Sequence, residues 1–276
     1  MLCLLSSGYS QGNGGRPPGR PPWGNPPGPP PGKGPRSDNK TPHAYGMNKS
    51  KEACAVTMLT PTGWGSSQKF VFITVGGTPN QMYSEKPDMA MRTGVGFGDS
   101  RKLVSVVGML NINDVSRIRN LSYSFIASRS LNKWGSISVG ALHLLKDKVT
   151  SDGIASYYVA YSNAFRGLKQ VTPDNPRLSF TVGAGTGHFH TMSPSDYENG
   201  KGRYGTGVFA NISYDVVKNL SLSAEWTGTN LGISTAYRLP RNLPIVFLGV
   251  SDLTQYSGDA PMFVFGVGKA LGFNGK

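Results

Sequence analysis

His188, Phe189 and His190, with Asp196 and Glu198 close behind, are the residues whose types come nearest to metal chemistry. Two imidazoles at i and i+2 share one face of an extended chain and can reach one ion, and the carboxylates could complete its shell. A third ligand at a recognisable spacing is missing, so the stretch reads as a solvated loop edge. No metal and no cofactor are expected. Acyl hydrolysis needs a nucleophile, a base and an orienting group in contact. His143, His188 and His190 could each serve as the base, and serines are abundant. The one Gly-x-Ser-x-Gly match, Gly8-Tyr9-Ser10-Gln11-Gly12, lacks the strand before and the helix after that a nucleophile elbow requires. Gly94-Val95-Gly96-Phe97-Gly98, with Gly77, has no following helix start to aim N–H groups at phosphate. Cys3 and Cys54 provide neither a disulfide framework nor a zinc site. No enzyme is expected.

The elements that must position such residues are strands. In Tyr204 to Leu239, Val208, Ala210, Ile212, Tyr214 and Val216 alternate with Gly207, Phe209, Asn211, Ser213 and Asp215. After Val217-Lys218, Leu220, Leu222, Ala224 and Trp226 alternate with Ser221, Ser223 and Glu225. Thr227 to Asn230 turns the chain, and Leu231, Ile233, Thr235 and Tyr237 resume the apolar face. Period-two alternation cut by tight turns predicts antiparallel strands. The polar face is mostly Ser, Gly and Asn, where a water-facing sheet would carry Lys, Glu and Thr. Small polar residues inside and aromatics outside predict a transmembrane β-barrel.

Composition agrees. Of 276 residues, 38% are hydrophobic and 16% charged, low values for a soluble core and its charged surface, and there are 37 Gly and 20 Pro. No apolar run approaches the length of a transmembrane helix. The net charge of +13 fits a basic surface and tail, or attraction to anions such as lipopolysaccharide or polysaccharide. Nucleic acid is not expected as a partner, because there is no Lys/Arg-rich helix and no zinc-finger spacing.

Residues 1–10 read as a signal-peptide remnant and 11–52 as a disordered basic Pro/Gly-rich arm. The arm reads as a spacer, as a tether touching peptidoglycan, or as a ligand for an aromatic groove centred on Trp23. Residues 53–276 read as the barrel. It opens with a short strand or plug-like segment at Cys54 to Thr62, and about twelve strands follow. They are Phe70–Gly76, Met91–Gly98, Leu103–Ile112, Leu121–Arg129, Gly135–Leu144, Ser156–Phe165, Arg177–Gly185, three within Tyr204–Leu239, Pro244–Val250 and Met262–Leu271. Glycines 94, 96 and 98 are expected to keep the interior open or to let strands bend. Ile245 to Val250 is apolar throughout and shows no alternation. Long connections (78–90, 145–155, 189–203) fall on one end and short ones (99–101, 131–133, 217–218) on the other. That places both termini at the short-turn, periplasmic end. Arg166 to Pro176 and Thr227 to Asn230 break the rule.

The segment LSLSAEWTGTNLGISTAYRL, with its Leu-Ser alternation and the pair Glu225-Trp226, resembles a hairpin of bacterial outer-membrane barrels. Barrels of the exopolysaccharide-export type and a poorly characterised cyanobacterial barrel group are similar, and NLPIVFLGVSDLTQYSGDAPMFVFGVGKAL resembles the last hairpin of that group. The resemblance covers roughly residues 90–271. It implies an antiparallel outer-membrane barrel of a Gram-negative-type bacterium, in contact with membrane lipid.

Arg92, Asn211, Asp215 and Glu225 are the expected lumen-lining residues, where charge sets selectivity. An Arg92–Glu225 ion pair locking the barrel is the competing reading. The expected function is a channel or structural pore component for small or polysaccharide solutes. The alternatives are a non-conducting barrel tethered to the cell wall, a secreted soluble β-sandwich that binds glycan, and a lipid-modifying barrel enzyme.

Overall fold

A computed structural model of the chain describes residues 57–79, 88–115, 118–132, 134–145, 154–165, 178–192, 196, 200–217, 219–240, 243–254 and 260–273. The expectations for residues 1–56, including the signal remnant, the arm and Cys54, lie outside the described residues.

The strands are β1 (Lys69–Thr78), β2 (Asp88–Gly98), β3 (Ser105–Asp114), β4 (Arg119–Ser130), β5 (Gly135–Leu144) and β6 (Ser156–Ala164). They continue as β7 (Leu178–Gly185), β8 (Val208–Val217), β9 (Leu220–Trp226), β10 (Leu231–Arg238), β11 (Ile245–Ser251) and β12 (Met262–Phe273). Each pairs antiparallel with its sequence neighbours, and β1 pairs with β12 from Lys69↔Phe273 to Gly77↔Phe265, so the twelve strands close into a barrel. The architecture is all-β, and closure removes every free strand edge. It is a barrel and not the two-sheet sandwich of the soluble alternative.

Burial runs inside out. Ile73, Phe125, Val159, Ile212, Leu222, Ile233, Leu248 and Val267 face outward and are exposed. Their alternating neighbours, among them Ser124, Ser213, Ser223 and Ser234, face inward and are buried. A continuous apolar exterior of this extent is unfavourable in water and fits hydrocarbon. Aromatics ring both ends: Tyr123, Tyr157 and Phe263 near the long connections, Phe97, Tyr237 and Phe273 near the short ones. Such girdles sit at membrane interfaces.

The apolar run of β11 is explained by its two environments. Val246 and Leu248 face out, whereas Ile245 and Phe247 face in and pack with Met58, Leu59, Ala236 and Val264. An apolar patch lines the lumen there, so both faces are apolar.

The inward glycines differ from expectation. Phe70 lies opposite Gly96, Phe72 opposite Gly94, Tyr158 opposite Gly140 and Phe209 opposite Gly183. A Cβ on Gly96 would stand 2.1 Å from the Phe70 ring, and one on Gly183 would stand 2.2 Å from Phe209. These glycines do not keep the interior open. Each is the seat of an aromatic ring from the next strand, which covers the bare backbone.

An Ile212→Arg substitution at mid-strand on the outer face should destabilise the folded barrel by about 2–4 kcal/mol. The check is the fraction of detergent-refolded protein that migrates fast on an unboiled denaturing gel, titrated with denaturant.

Candidate functional site

A closed ring of twelve strands encloses more room than inward side chains of Ser and Gly can fill. The chain before β1 occupies it. Residues 57–66 form no strand. Ser66, at the short-turn end, receives the Ser100 N–H on its carbonyl at 2.8 Å and donates its own N–H to Ser105 Oγ at 3.1 Å. Going back along the chain, the segment enters the lumen. Gly65 passes β3 and β4 so closely that a Cβ would meet Ser100, Ser105 and Ser128 at 2.5–2.8 Å. Gly63 passes β5 and β6, where a Cβ would meet the Ser136 carbonyl oxygen at 2.4 Å. Its N–H donates to Ser162 Oγ at 2.7 Å, and Ser138 Oγ donates to the Thr62 carbonyl at 2.8 Å.

The segment ends its described course at Glu225 on β9. The N–H groups of Met58, Leu59 and Thr60 all donate to this carboxylate at 2.8 Å. Thr60 Oγ1 donates at 2.9 Å, and Ser234 Oγ, from β10, at 2.7 Å. Asn211 Nδ2, from β8, donates to Thr60 Oγ1 at 2.9 Å. An unpaired carboxylate enclosed this completely would be costly. Five converging donors offset that cost, and hydrogen bonds to ionised groups are the stronger kind. Met58 and Leu59 add apolar contact, filling the space left by Gly249 and Gly232. Residues 57–66 are therefore a plug, latched at one end by Glu225.

At the long-connection end the chain packs on the wall independently of the plug. The chain after β7 forms a 3-10 turn, Gly187–Phe189, which places Phe189 over Phe209 and Tyr158 with ring centroids 4.5 and 5.9 Å apart. Gly205 donates to the His190 carbonyl and Thr206 to the Gly228 carbonyl, pinning this connection to the β9–β10 turn.

Of the four lumen candidates, Arg92, Asn211 and Glu225 face inward and are buried, and Asp215 is half-buried near the short-turn end of β8, where the pairing with β9 shifts register. The structure brings Asn211 and Glu225 together, through Thr60. It does not join Arg92 to Glu225, whose two oxygens are occupied by the plug and Ser234. Arg92 instead belongs to a polar band running through register partners Thr74 and Asn111. The band continues by Asn111 Nδ2 donating to Ser124 Oγ at 2.9 Å and by Ser122 Oγ lying 2.9 Å from His143 Nδ1.

That Ser122–His143 contact has the spacing of a nucleophile and its base, and sequence alone did not single it out. His143 has φ 53°, beside the irregular pairing between Tyr123 and Phe125 that turns its side chain inward with Leu142. Both residues are enclosed, and the pair ties β4 to β5. His188 and His190 do not share the strand face that a metal site would need, because a 3-10 turn separates their directions. His188 is buried, its N–H donating to Ser156 Oγ at 2.8 Å, while His190 stacks on Tyr204 at 4.6 Å. Asp196 is buried, and Glu198 lies outside the described residues. Among the described residues no three His, Cys, Asp or Glu side chains converge as metal ligands.

No family model matches the chain, and no curated protein matches it. Solved structures do. One is titled a KdgM porin, 13% identical over 74% of this chain and 99% of that one, with a TM-score of 0.43. Another is a KdgM porin in complex with disordered oligogalacturonate, 11% identical at the same coverage and TM-score. A third is a bacterial polysaccharide outer membrane secretin, 10% identical over 75% and 99% of the two chains, with a TM-score of 0.33.

Glu225→Gln should weaken the latch. The amide keeps the shape but turns an NH2 group toward N–H donors, so at least one enclosed donor loses its acceptor, at about 1–3 kcal/mol. The expected outcome is a lower denaturant midpoint for the heat-modifiable band, with the gel shift itself retained.

Proposed function

We propose that the chain is an outer-membrane channel protein for small or polysaccharide solutes, its lumen filled by its own plug and opened when residues 57–66 leave. The observation that carries this reading is that the hydrogen-bonded ring β1–β12 is complete without the plug. The plug adds no strand to the wall, so it can withdraw while every ladder bond persists. Its contacts are also of a kind that water can replace. The backbone of residues 58–66 is met by side-chain groups of Glu225, Ser138, Ser162 and Ser105, and each would be solvated in an open lumen. The apolar belt and two aromatic girdles support the membrane location. In this reading the belt meets membrane lipid, with lipopolysaccharide in the outer leaflet.

A second reading has one observation in its favour. The inward side chains are enclosed throughout, as in a structural barrel that never conducts, with the basic proline-rich stretch 11–52 acting as a peptidoglycan tether.

Planar-bilayer conductance separates the two. The unaltered chain should be closed most of the time. Gly63→Val collides with the Ser136 carbonyl and should expel the plug, raising time-averaged conductance on the order of tenfold for a clash of ~1.4 kcal/mol. Deleting residues 57–66 should do the same. If both variants keep the heat-modifiable gel shift yet conduct no better than the unaltered chain, the channel reading fails and the structural barrel stands.

A further inference from the structure

The chain carries a net charge of +13, and the lumen does not share it. Among the described inward side chains of the strands, the permanent charges are Arg92, Asp215, Glu225 and Arg238, two of each sign. The excess of cations lies elsewhere: Lys69, Arg129 and Lys269 face outward, and Arg101 and Lys102 sit in the β2–β3 turn. A pore that favours ions of one sign lines its lumen with like charges of the other. This one is lined with hydroxyls. Ser122, Ser124, Ser128, Ser138, Ser162 and Thr181 belong to the wall on one side. Ser213, Ser221, Ser223 and Ser234 belong to it on the other.

The plug shows what this wall can recognise. Within the lumen it presents uncharged N–H and C=O groups and the Thr60 hydroxyl, so donors and acceptors are mixed along an extended chain. The wall answers with Ser105 Oγ and Ser162 Oγ as acceptors, Ser138 Oγ and Asn211 Nδ2 as donors, and Glu225 as acceptor. Removing the plug takes a partner from each of these groups, although Ser162 keeps Thr181 and Glu225 keeps Ser234, and the lost partners must be replaced by water or a solute. A neutral oligosaccharide is a solute of the same kind: extended, uncharged, and able to donate and accept at each hydroxyl. The rings of Phe70 and Phe72 offer flat apolar surfaces for the faces of sugar rings. Withdrawal of the plug also leaves the Glu225 carboxylate facing the lumen with only the Ser234 hydroxyl donating to it, and there it repels a carboxylated solute.

Resting on the channel reading above, we infer that the solute class of the open barrel is neutral, hydroxyl-rich oligosaccharide, and that Glu225 is a specificity-determining residue that excludes acidic sugars. The plug then occupies the solute's own track, and Glu225 has two roles in turn, as latch when closed and as filter when open.

Liposome swelling tests this with full-length Gly63→Val, which displaces the plug and keeps Glu225. The solutes are maltotriose and a trimer of uronic acids, at equal osmolarity, with potassium chloride conductance measured on the same preparation. Should Gly63→Val not fold, deletion of residues 57–66 takes its place. Maltotriose is expected to enter on the order of tenfold faster than the tri-uronate. Adding Glu225→Gln should shrink the ratio of maltotriose to tri-uronate entry severalfold, through faster tri-uronate entry. Tri-uronate entry equal to or faster than that of maltotriose overturns the inference while the channel stands. So does potassium chloride conductance with neither sugar entering. No conductance and no swelling in either opened variant overturns the channel reading and the inference with it.

Discussion

A carboxylate shut inside a protein survives only where donors converge on it, and Glu225 meets that condition by capturing a piece of its own chain. Three consecutive backbone N–H groups, one threonine hydroxyl and one serine hydroxyl surround it. The dependence runs both ways. Without the plug the carboxylate would need water, and without the carboxylate the N–H groups of residues 58–60 would be buried donors lacking an acceptor. Much else in the lumen follows from this contact. With residues 58–60 fixed at β9 and residue 66 fixed at β3, Gly63 and Gly65 must cross the interior where no side chain fits. The apolar inner face of β11 then serves as the seat for Met58 and Leu59.

The outer surface is governed by a different constraint. Hydrocarbon cannot satisfy a backbone polar group, so the sheet has to close, and it does so through the β1–β12 ladder. Alternation then divides each strand between two media. The outward positions take Val, Ile, Leu, Phe and Tyr, and the inward ones take whatever the plug and the opposite wall require. That requirement varies around the circumference: hydroxyls beside the plug backbone, aromatics beneath Phe189 near the long-connection end, aliphatics beside Met58.

This division explains what could be read from the chain alone. Strand positions were legible because lipid imposes one rule on every outward residue, so Val208 to Tyr214 or Leu220 to Trp226 betray their period without any tertiary information. β11 lacks that alternation, because its inward face meets Met58 and Leu59 and is apolar as well. The inward placement of Asn211 and Glu225 followed from the same parity. Their shared partner did not, because the plug has no period of its own and its contacts are scattered over β3, β5, β6, β8 and β9. The inward glycines were misread for a related reason: a glycine on one strand acquires its meaning from the ring facing it on another. The stretch from His188 to His190 reads as a solvated loop edge, and the burial of His188 escapes that reading because nothing local announces a 3-10 turn. The Ser122–His143 contact rests on irregular strand pairing, which no spacing rule encodes.

Those ring-to-glycine pairings have a bearing on how the wall assembles. Phe70 with Gly96, Phe72 with Gly94, Tyr158 with Gly140 and Phe209 with Gly183 are directly opposed across their ladders. Sliding β6 against β5 by two residues would keep every side chain on its proper face, so the lipid surface could not detect the error. It would, however, drive the Tyr158 ring against Ser138 or Leu142 and leave Gly140 bare. The interior thus acts as a proofreader for a mistake the exterior tolerates, and the correct alignment is distinguished ring by ring.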